Sequence, residues 1–150
     1  MSDEALAAAA VDWALARVGD RSYALRCLAF VEDAYERANQ IEVFGGATAT
    51  ESADLYGLEP YREDEPPPAG SLVFYAAEGP IGGQRRDWGH VGLALGDGRV
   101  IHAWDEVRVD PATELQGLTP AEGWTAPVII GWTPRDRVLQ GHRPRHWADG

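Results

Sequence analysis

The chain has 150 residues, of which 45% are hydrophobic and 25% are charged, a balance typical of one globular domain with a sizeable core. Its formal net charge of −11 at pH 7 makes nucleic acid and anionic membrane surfaces poor partners, because an acidic protein repels phosphate groups. The single cysteine excludes an internal disulfide, so its thiol is treated as a free one.

The N-terminal stretch, residues 1–19, is apolar enough to suggest a signal peptide. However, Asp3 and Glu4 stand where a signal peptide has basic residues, and Asp12 interrupts the apolar run. No uninterrupted apolar run approaches the length of a membrane span. We therefore expect a cytoplasmic location without membrane insertion, while signal-independent export stays open as an alternative.

Two long helices are predicted at the start of the chain. The first has Ser2 as its N-cap and ends at Gly19. The second covers residues 23–38, with Asn39 as its cap, and holds Cys27 in its first turns. The apolar stripe of the first helix is expected to contain five residues at helical spacing: Ala7, Ala8, Val11, Leu15 and Val18.

A short third helix is predicted before an extended linker. The stretch TESADLYGL is typical of a helix that is capped by Thr48 or Thr50 and ends at Gly57. Residues 59–68, EPYREDEPPP, are acidic and rich in proline, which favours an extended and solvated connection to the next element.

The second half of the chain predicts short strands. Residues 70–76 form the first strand, and the apolar stretch VIIGW, residues 128–132, closes the sheet. Between them we expect a mobile loop in GPIGGQRRD, a strand at residues 105–110 and an irregular segment over residues 111–127. The sequence from residue 133 onward is rich in arginine and proline, which predicts a surface extension with a poorly ordered end.

The most informative stretch is GHVGLALGDGRVIHA, residues 89–103, which predicts two strands joined by a glycine-flanked turn. The strands carry His90 and His102, and a two-residue turn would place these side chains on opposite faces of the sheet. A three-residue turn over residues 96–98 places His90 opposite Trp104 and His102 on the same face, roughly 7–8 Å away between Cα atoms. We favour this register because it collects apolar side chains on the other face: Val91, Leu93, Leu95, Ile101 and Ala103.

The histidine face of this hairpin predicts a ligand site. Gly92 and Ala94 share the face with the two histidines, and small residues beside imidazoles leave room for a ligand. Trp88 and Trp104 flank the histidines in sequence, so we expect them to line a cleft next to the site.

Cys27, His90 and His102 form a set that is typical of catalysis by a thiol nucleophile. A helix N-terminus and a neighbouring imidazolium both lower the pKa of a thiol and favour the reactive thiolate. In this interpretation Cys27 attacks the substrate, His90 moves the proton, and His102 orients His90. Backbone N–H groups at the start of the second helix would bind the developing oxyanion.

Other interpretations of these residues stay open. Cys27 lies on an apolar stripe, where a lone cysteine is more often an inert core residue, and either histidine alone can be a structural hydrogen-bonding group. A zinc ion on the three side chains would need a fourth ligand, which the sequence does not supply nearby. His142 and His146 have H-x3-H spacing but lie in a segment broken by proline, so we expect them to be solvated.

The sequence resembles the NlpC-type cysteine peptidases, a papain-like superfamily that also includes the CHAP amidases. The resemblance lies in Cys27 with Phe30 and Val31 in a helix, in the strand PPPAGSLVFY, and in the hairpin GHVGLALGDGRVIHA. The step of twelve residues from His90 to His102 fits the family's spacing between its base and its third polar residue. VIIGW resembles the closing strand.

The resemblance implies an α+β fold with a papain-like core, in which N-terminal helices pack on a mostly antiparallel sheet of about five strands. It implies one domain over residues 1–150, mainly helical over 1–70, mainly sheet over 71–132, with a C-terminal extension over 133–150. Carried over by resemblance, the nucleophile is Cys27, the general base is His90 and the orienting residue is His102. No metal and no cofactor are implied.

The family implied is one of bacterial thiol-dependent amide hydrolases, many of which act on peptide stems of peptidoglycan. Three departures concern the substrate: Arg26 replaces the usual acidic residue before the cysteine, Leu28-Ala29 replaces a Ser-Gly pair, and the family's upstream tyrosine has no match. We expect Arg26, Trp88 and Trp104 to bind a peptide or peptidoglycan-like substrate. The alternatives are a catalytically silent binding or accessory module with the same fold, or an acyltransferase variant. The sequence does not indicate an oligomeric state.

Overall fold

The computed structural model describes residues 1–148 and confirms the predicted α+β class. Within these residues, a five-stranded antiparallel sheet carries the helices, and no helix is both long and apolar enough to cross a membrane. The helices are α1 (Asp3–Leu15), α2 (Cys27–Asn39), α3 (Ala49–Tyr56) and α4 (Arg135–Leu139), with a 3-10 helix at Glu114–Gly117. The strands are β1 (Ile41–Glu42), β2 (Leu72–Ala76), β3 (Glu78–Ile81), β4 (Gln84–Asp87), β5 (His90–Ala94), β6 (Arg99–Ala103), β7 (Val107–Pro111), β8 (Val128–Thr133) and β9 (Arg143–Pro144).

Helix α1 begins where the sequence predicts but buries a different face. The Ser2 hydroxyl accepts a hydrogen bond from the backbone N–H of Ala5 at 3.1 Å and caps the helix, which ends at Leu15 and not at Gly19. The predicted apolar stripe is right only in part. Ala7 is buried and Val11 packs against the larger core, but Ala8 is exposed, and Leu15 and Val18 are 42% and 55% exposed. The face with the larger side chains packs inward because it removes more apolar area from water, and its buried residues are Leu6, Ala7, Ala10, Trp13 and Ala14.

Helix α2 begins at Cys27, later than predicted. The preceding residues 22–25 form a turn, and Leu25 has a φ of +63°, a left-handed conformation that interrupts an α-helix. The helix ends at Gln40, whose φ of +52° makes it the C-cap in place of Asn39. The cysteine is therefore the first residue of the helix, where backbone N–H groups have no partner within the helix.

The main sheet has the strand order β7–β6–β5–β2–β8, and every neighbouring pair is antiparallel. Leu93 pairs with Ile101 and Ala94 pairs with Val100, which confirms the register of a three-residue turn. The face with Leu93 and Ile101 packs in the larger core, together with the helices. The face with Ala94 and Val100 packs in a smaller core that includes the 3-10 helix.

Helix α3 and the linker after it agree with the prediction. The side chain of Thr48 accepts a hydrogen bond from the backbone N–H of Glu51 at 3.1 Å, and Gly57 is the C-cap. Residues 59–68 form no helix or named strand and are mostly exposed, although Glu59 forms an isolated β-bridge with Trp132 and Pro67 is buried.

The segment predicted as a mobile loop, GPIGGQRRD, is instead part of a β-hairpin. Strands β3 and β4 pair antiparallel along their whole lengths. Gly82 and Gly83 form the turn with φ of +61° and +77°, as a tight two-residue hairpin turn requires. The two strands are mostly exposed and polar, so they lack the apolar alternation by which a strand is normally predicted.

The stretch from residue 133 onward is a surface extension only in part: residues 140–146 are exposed, but α4 packs into the core. Val138 and Leu139 of α4 are 3% and 2% exposed and belong to the larger core. The Arg135 guanidinium donates a hydrogen bond to the backbone carbonyl of Ala69 at 3.0 Å, and β9 pairs with β1. Two adjacent apolar residues in a polar segment are too weak a signal for a buried helix. The predicted disorder of the end concerns residues 149–150, which lie outside the described part.

Candidate active site

The thiol of Cys27 lies at the junction between the helices and the sheet. Cys27 is the first residue of α2, and the N-cap residue Arg26 makes no side-chain capping bond. The thiol instead lies within hydrogen-bond reach of the backbone N–H groups of Leu28 and of Val91, the residue that follows His90. The helix N-terminus and strand β5 therefore meet at the sulfur.

Burial, and not the helix N-terminus, dominates the protonation of this thiol. Burial raises the pKa of Cys27 to about 11, while hydrogen bonds from the backbone N–H groups of Val91 and Leu28 lower it by less. The expectation of a lowered thiol pKa is therefore wrong. Cys27 lines the cleft and is only partly buried, but its packing against the larger core removes part of the water that would solvate a thiolate. Cys27 holds its proton near neutral pH.

His90 and His102 lie together on one face of the sheet, as the register predicts. The Nε2 atom of His90 and the Nδ1 atom of His102 are 2.9 Å apart, and the two rings are nearly perpendicular at 87°. His102 is fully buried and His90 is 6% exposed. Burial and the neighbouring His102 hold the pKa of His90 well below its usual value, so His90 is a neutral imidazole.

The space for a ligand is not where the small residues suggested. A side chain added at Gly92 would lie 3.0 Å from Val100 and 3.4 Å from His102, so no open volume exists there. Ala94 packs in the smaller core with Tyr75. The prediction of ligand room beside Gly92 and Ala94 is therefore wrong, because side chains of the smaller core, among them Tyr75, Val100 and Leu115 of the 3-10 helix, fill that face.

The open space is a cleft of about 780 Å³ that His90 lines and that Gly92 and Ala94 do not. Cys27 and His90 both line it, and His102 lies behind His90 and does not. The three predicted substrate-binding residues, Arg26, Trp88 and Trp104, also line the cleft. The ring of Trp104 meets the ring of His90 edge to face, at 5.2 Å between centroids and 90° between planes. The structure thus brings five of the six predicted site residues to one cavity and places the sixth directly behind it.

The walls of the cleft are mainly apolar. Among the described residues that line it, the charged ones are Arg26, Glu32 and Asp105. Burial, followed by the charges of Glu36 and Asp33, raises the pKa of Glu32 to about 7. Glu32 was not predicted as a site residue, and its position on α2 gives no motif by which it could have been found. The apolar side chains that line the walls include Leu25, Leu28, Ile81, Trp88, Trp104 and Trp124.

The sequence also missed a carboxylate behind the two histidines. The Nε2 atom of His102 lies 2.8 Å from Oδ2 of Asp110 on strand β7. The ladder between β6 and β7 pairs His102 with Arg108, which makes Asp110 the diagonal neighbour of His102. A strand was predicted at residues 105–110, so its register against β6 was the signal that could have revealed this contact.

Within residues 1–148, no group of three or more His, Cys, Asp and Glu side chains has an arrangement that could hold a metal ion. His142 lies close to Leu139, with Nδ1 2.7 Å from the carbonyl oxygen of that residue. This contact places one histidine of the H-x3-H pair at the end of α4, away from the cleft.

Comparison with known proteins identifies the family. The profile of the NlpC/P60 family matches residues 17–118, which is more than half of the chain and includes the thiol, both histidines and Asp110. The chain belongs to the NlpC/P60 family. This confirms the resemblance read from the cysteine helix and the histidine hairpin. No curated protein matches the chain in sequence.

Solved structures of NlpC/P60 proteins share the fold at low sequence identity. A lipoprotein-like protein of the NLP/P60 family from Staphylococcus aureus has a TM-score of 0.55 at 18% identity, over 87% of this chain and 41% of its own. RipD from Mycobacterium tuberculosis is described as a non-catalytic NlpC/p60 domain protein adapted to peptidoglycan binding. Its TM-score is 0.48 at 18% identity, over 83% of this chain and 95% of its own. The P60 domain of an M. avium paratuberculosis antigen has a TM-score of 0.48 at 15% identity, over 88% of this chain and 94% of its own. The chain spans less than half of the S. aureus protein, and the likeness shows the fold.

Proposed function

We propose that this NlpC/P60 chain is a thiol-dependent amide hydrolase, a peptidase or amidase with Cys27 as its nucleophile. The observation that supports the proposal is that a thiol and an imidazole line the same cleft. Cys27 and His90 both line this cleft, and His102 contacts His90 from behind. A thiol, a base and a group that orients the base are the parts that nucleophilic catalysis requires.

In the first step, the sulfur of Cys27 attacks the carbonyl carbon of the substrate amide and a carbon–sulfur bond forms. Because Nε2 of His90 faces His102, its Nδ1 is the nitrogen left to take the thiol proton, and Nδ1 has no hydrogen bond within residues 1–148. His90 then gives this proton to the amide nitrogen as the carbon–nitrogen bond breaks. The products are a free amine and a thioester on Cys27.

In the second step, water hydrolyses the thioester. His90 takes a proton from the water as the water oxygen attacks the carbonyl carbon. The carbon–sulfur bond then breaks, His90 gives this proton to the sulfur, and the carboxylic acid is released, which restores the thiol and the neutral imidazole. In both steps a negative charge develops on the carbonyl oxygen. The backbone N–H groups at the start of α2 would stabilise this charge, because they have no partner within the helix.

We propose a peptide or peptidoglycan-like acyl amide as the substrate. The apolar walls suit the aliphatic parts of such a molecule, and Trp88 and Trp104 offer aromatic surfaces within the cleft. Arg26, next to the nucleophile, would pair with a carboxylate of the substrate. In this proposal Arg26 replaces an acidic residue of the family pattern and alters which acyl group is accepted.

The experiment that tests the proposal is a screen of wall-derived peptides and simple acyl amides, with cleavage followed by mass spectrometry. We expect turnover by the wild type, no turnover by Cys27→Ala, and a loss of about 10²–10⁴-fold in His90→Ala. His146→Gln is the matched control, because this histidine is exposed and remote from the cleft.

The thioester intermediate can be trapped by rapid acid quenching. Mass spectrometry should then show Cys27 with the added mass of the acyl group. An acyl group that moves to an added amine faster than to water would identify an acyltransferase. Equal binding of a peptide by the wild type and Cys27→Ala, without cleavage by either, would identify a silent binding module and overturn the proposal.

A further inference from the structure

A continuous line of hydrogen bonds leads from the cleft across one face of the sheet to its edge strand, β7. His90 contacts His102 at 2.9 Å, and His102 contacts Oδ2 of Asp110 at 2.8 Å. Arg108 then holds both oxygens of this carboxylate, donating from Nε to Oδ2 at 2.8 Å and from Nη2 to Oδ1 at 3.2 Å. The side chain of His102 is fully buried and that of Asp110 is 15% exposed, so the line is shielded from bulk water.

The carboxylate determines where each proton in this line sits. An ionised carboxylate only accepts hydrogen bonds, so His102 must carry its proton on Nε2 and donate it to Asp110. The Nδ1 atom of a neutral His102 is then an acceptor. His90 must in turn carry its proton on Nε2 and donate it to His102, which leaves the lone pair of His90 on Nδ1.

We propose that Asp110 is a positioning residue that fixes the tautomers of both histidines, so that His90 presents its basic nitrogen to the cleft. Asp110 touches neither the substrate nor the thiol and acts through His102. It also stabilises the positive charge that His90 acquires when it takes a proton, because the two hydrogen bonds relay the negative field of the carboxylate.

Arg108 and His102 together keep the carboxylate of Asp110 ionised. Although burial by itself raises the pKa of Asp110, the hydrogen bonds from Arg108 and His102 outweigh it and bring this pKa below its usual value. The groups that act on His102 are thus Asp110 and Asp105, which favour its protonated form, and Arg108, which disfavours it. Burial is the largest influence and lowers the pKa of His102.

The opposite charges of Asp110 and Arg108 allow a positioning role of Asp110 to be distinguished from a purely structural one. If Asp110 only ties β7 to β6, the removal of Asp110 or of Arg108 should loosen the sheet in the same way. If Asp110 acts by its charge, the two removals should change the pKa of His102 in opposite directions. Asp110→Asn should lower it, and Arg108→Gln should raise it.

The experiment is ¹⁵N NMR of the full chain with labelled histidine, since ring nitrogen shifts report both the tautomer and the pKa. In the wild type we expect His90 and His102 to be protonated on Nε2. In Asp110→Asn we expect a lower pKa for His102, a mixture of tautomers at both rings, and a kcat about 100-fold lower with KM nearly unchanged. Asp97→Asn is the matched control, because Asp97 pairs with Arg99 in the turn of the same hairpin and contacts neither histidine.

The outcomes separate this inference from the proposed function. Only the expected change in kcat rests on the proposed function, whereas the NMR measurements do not. Unchanged tautomers and pKa values in Asp110→Asn, or a pKa of His102 that fails to rise in Arg108→Gln, would overturn the role of Asp110 even if the protein cleaves amides. The expected NMR shifts without any amide cleavage would support Asp110 and count against the hydrolase. If Asp110→Asn does not fold, the pKa of His102 in Arg108→Gln is by itself the test of the role of Asp110.

Discussion

At the residue level, burial acts in opposite directions on the pKa values of the two groups that exchange a proton in the proposed mechanism. It raises the pKa of Cys27 and lowers the pKa of His90, so both groups favour their neutral forms. The free site is therefore a thiol beside an imidazole, and not a thiolate–imidazolium pair. A protonated thiol is a weak nucleophile and oxidises slowly, so the proton must move as the substrate binds.

This neutral pair predicts how the thiol reacts with iodoacetamide in the absence of substrate. With its pKa raised to about 11, Cys27 forms more thiolate as the pH rises, and its alkylation rate should still be increasing at about pH 10. A cysteine in an unstructured peptide, with a pKa of about 8.5, serves as the control and should reach its plateau earlier. Alkylation of native Cys27 with a midpoint below that of the control peptide would show an ion pair and contradict this prediction.

At the element level, the β3–β4 hairpin forms a wall of the cleft and is held by residues 123–125. The Arg85 guanidinium donates to the carbonyl of Gly123 at 2.6 Å, and the backbone N–H of Thr125 donates to the carbonyl of Glu78 at 2.9 Å. The ring of Trp124 lies against the bare backbone of Gly79. Glycine is needed at this position because a Cβ atom would lie 2.0 Å from the ring.

We therefore expect Gly79→Ala to displace Trp124 and detach the hairpin from its support. Trypsin should then cut after Arg85 or Arg86 faster than in the wild type, while the free energy of unfolding changes little because the hairpin lies outside both cores. Gly117→Ala is the control, since a side chain there would enter open space. Equal cleavage rates in the two variants would show that the contact does not hold the hairpin.

The elements predicted best from the sequence are those specified by neighbouring residues. The hairpin of β5 and β6 is one of these, because its turn glycines and its alternating pattern fix the register and so bring His90 to His102. The buried face of α1 was predicted only in part, because an alanine-rich helix offers two overlapping apolar stripes and packing against α2 selects between them.

Long-range contacts account for what the sequence did not reveal of the site. Asp110 reaches His102 only through the register of β7 against β6, and no turn glycine signals that register. The pKa of Cys27 depends on how deeply the larger core covers the thiol, which a helix position does not indicate. Residue types at the right spacing thus predicted which groups meet, and burial set their charge states.

At the level of the whole molecule, the site depends on the packing of the helices against the sheet. The thiol comes from α2, the imidazoles from β5 and β6 and the carboxylate from β7, so their distances hold only while these elements stay together. Helix α4 contributes to this packing although it lies far from the site in sequence. Val138 and Leu139 enter the same core as Phe30 of α2 and Val91 of β5.

We therefore expect Leu139→Ala to destabilise the whole described fold and not only its C-terminal part. Leu139 is 2% exposed, and truncation of a buried leucine leaves a cavity that costs about 2–4 kcal/mol of unfolding free energy. Urea unfolding followed by tryptophan fluorescence should show one transition at a lower midpoint with an unchanged slope. Leu55→Ala is the matched control, because Leu55 is 64% exposed on α3 and should change the midpoint little. If Leu139→Ala and Leu55→Ala unfold at the same urea concentration, α4 is not part of the cooperative core. In that case the packing of α4 does not stabilise the elements that carry the site.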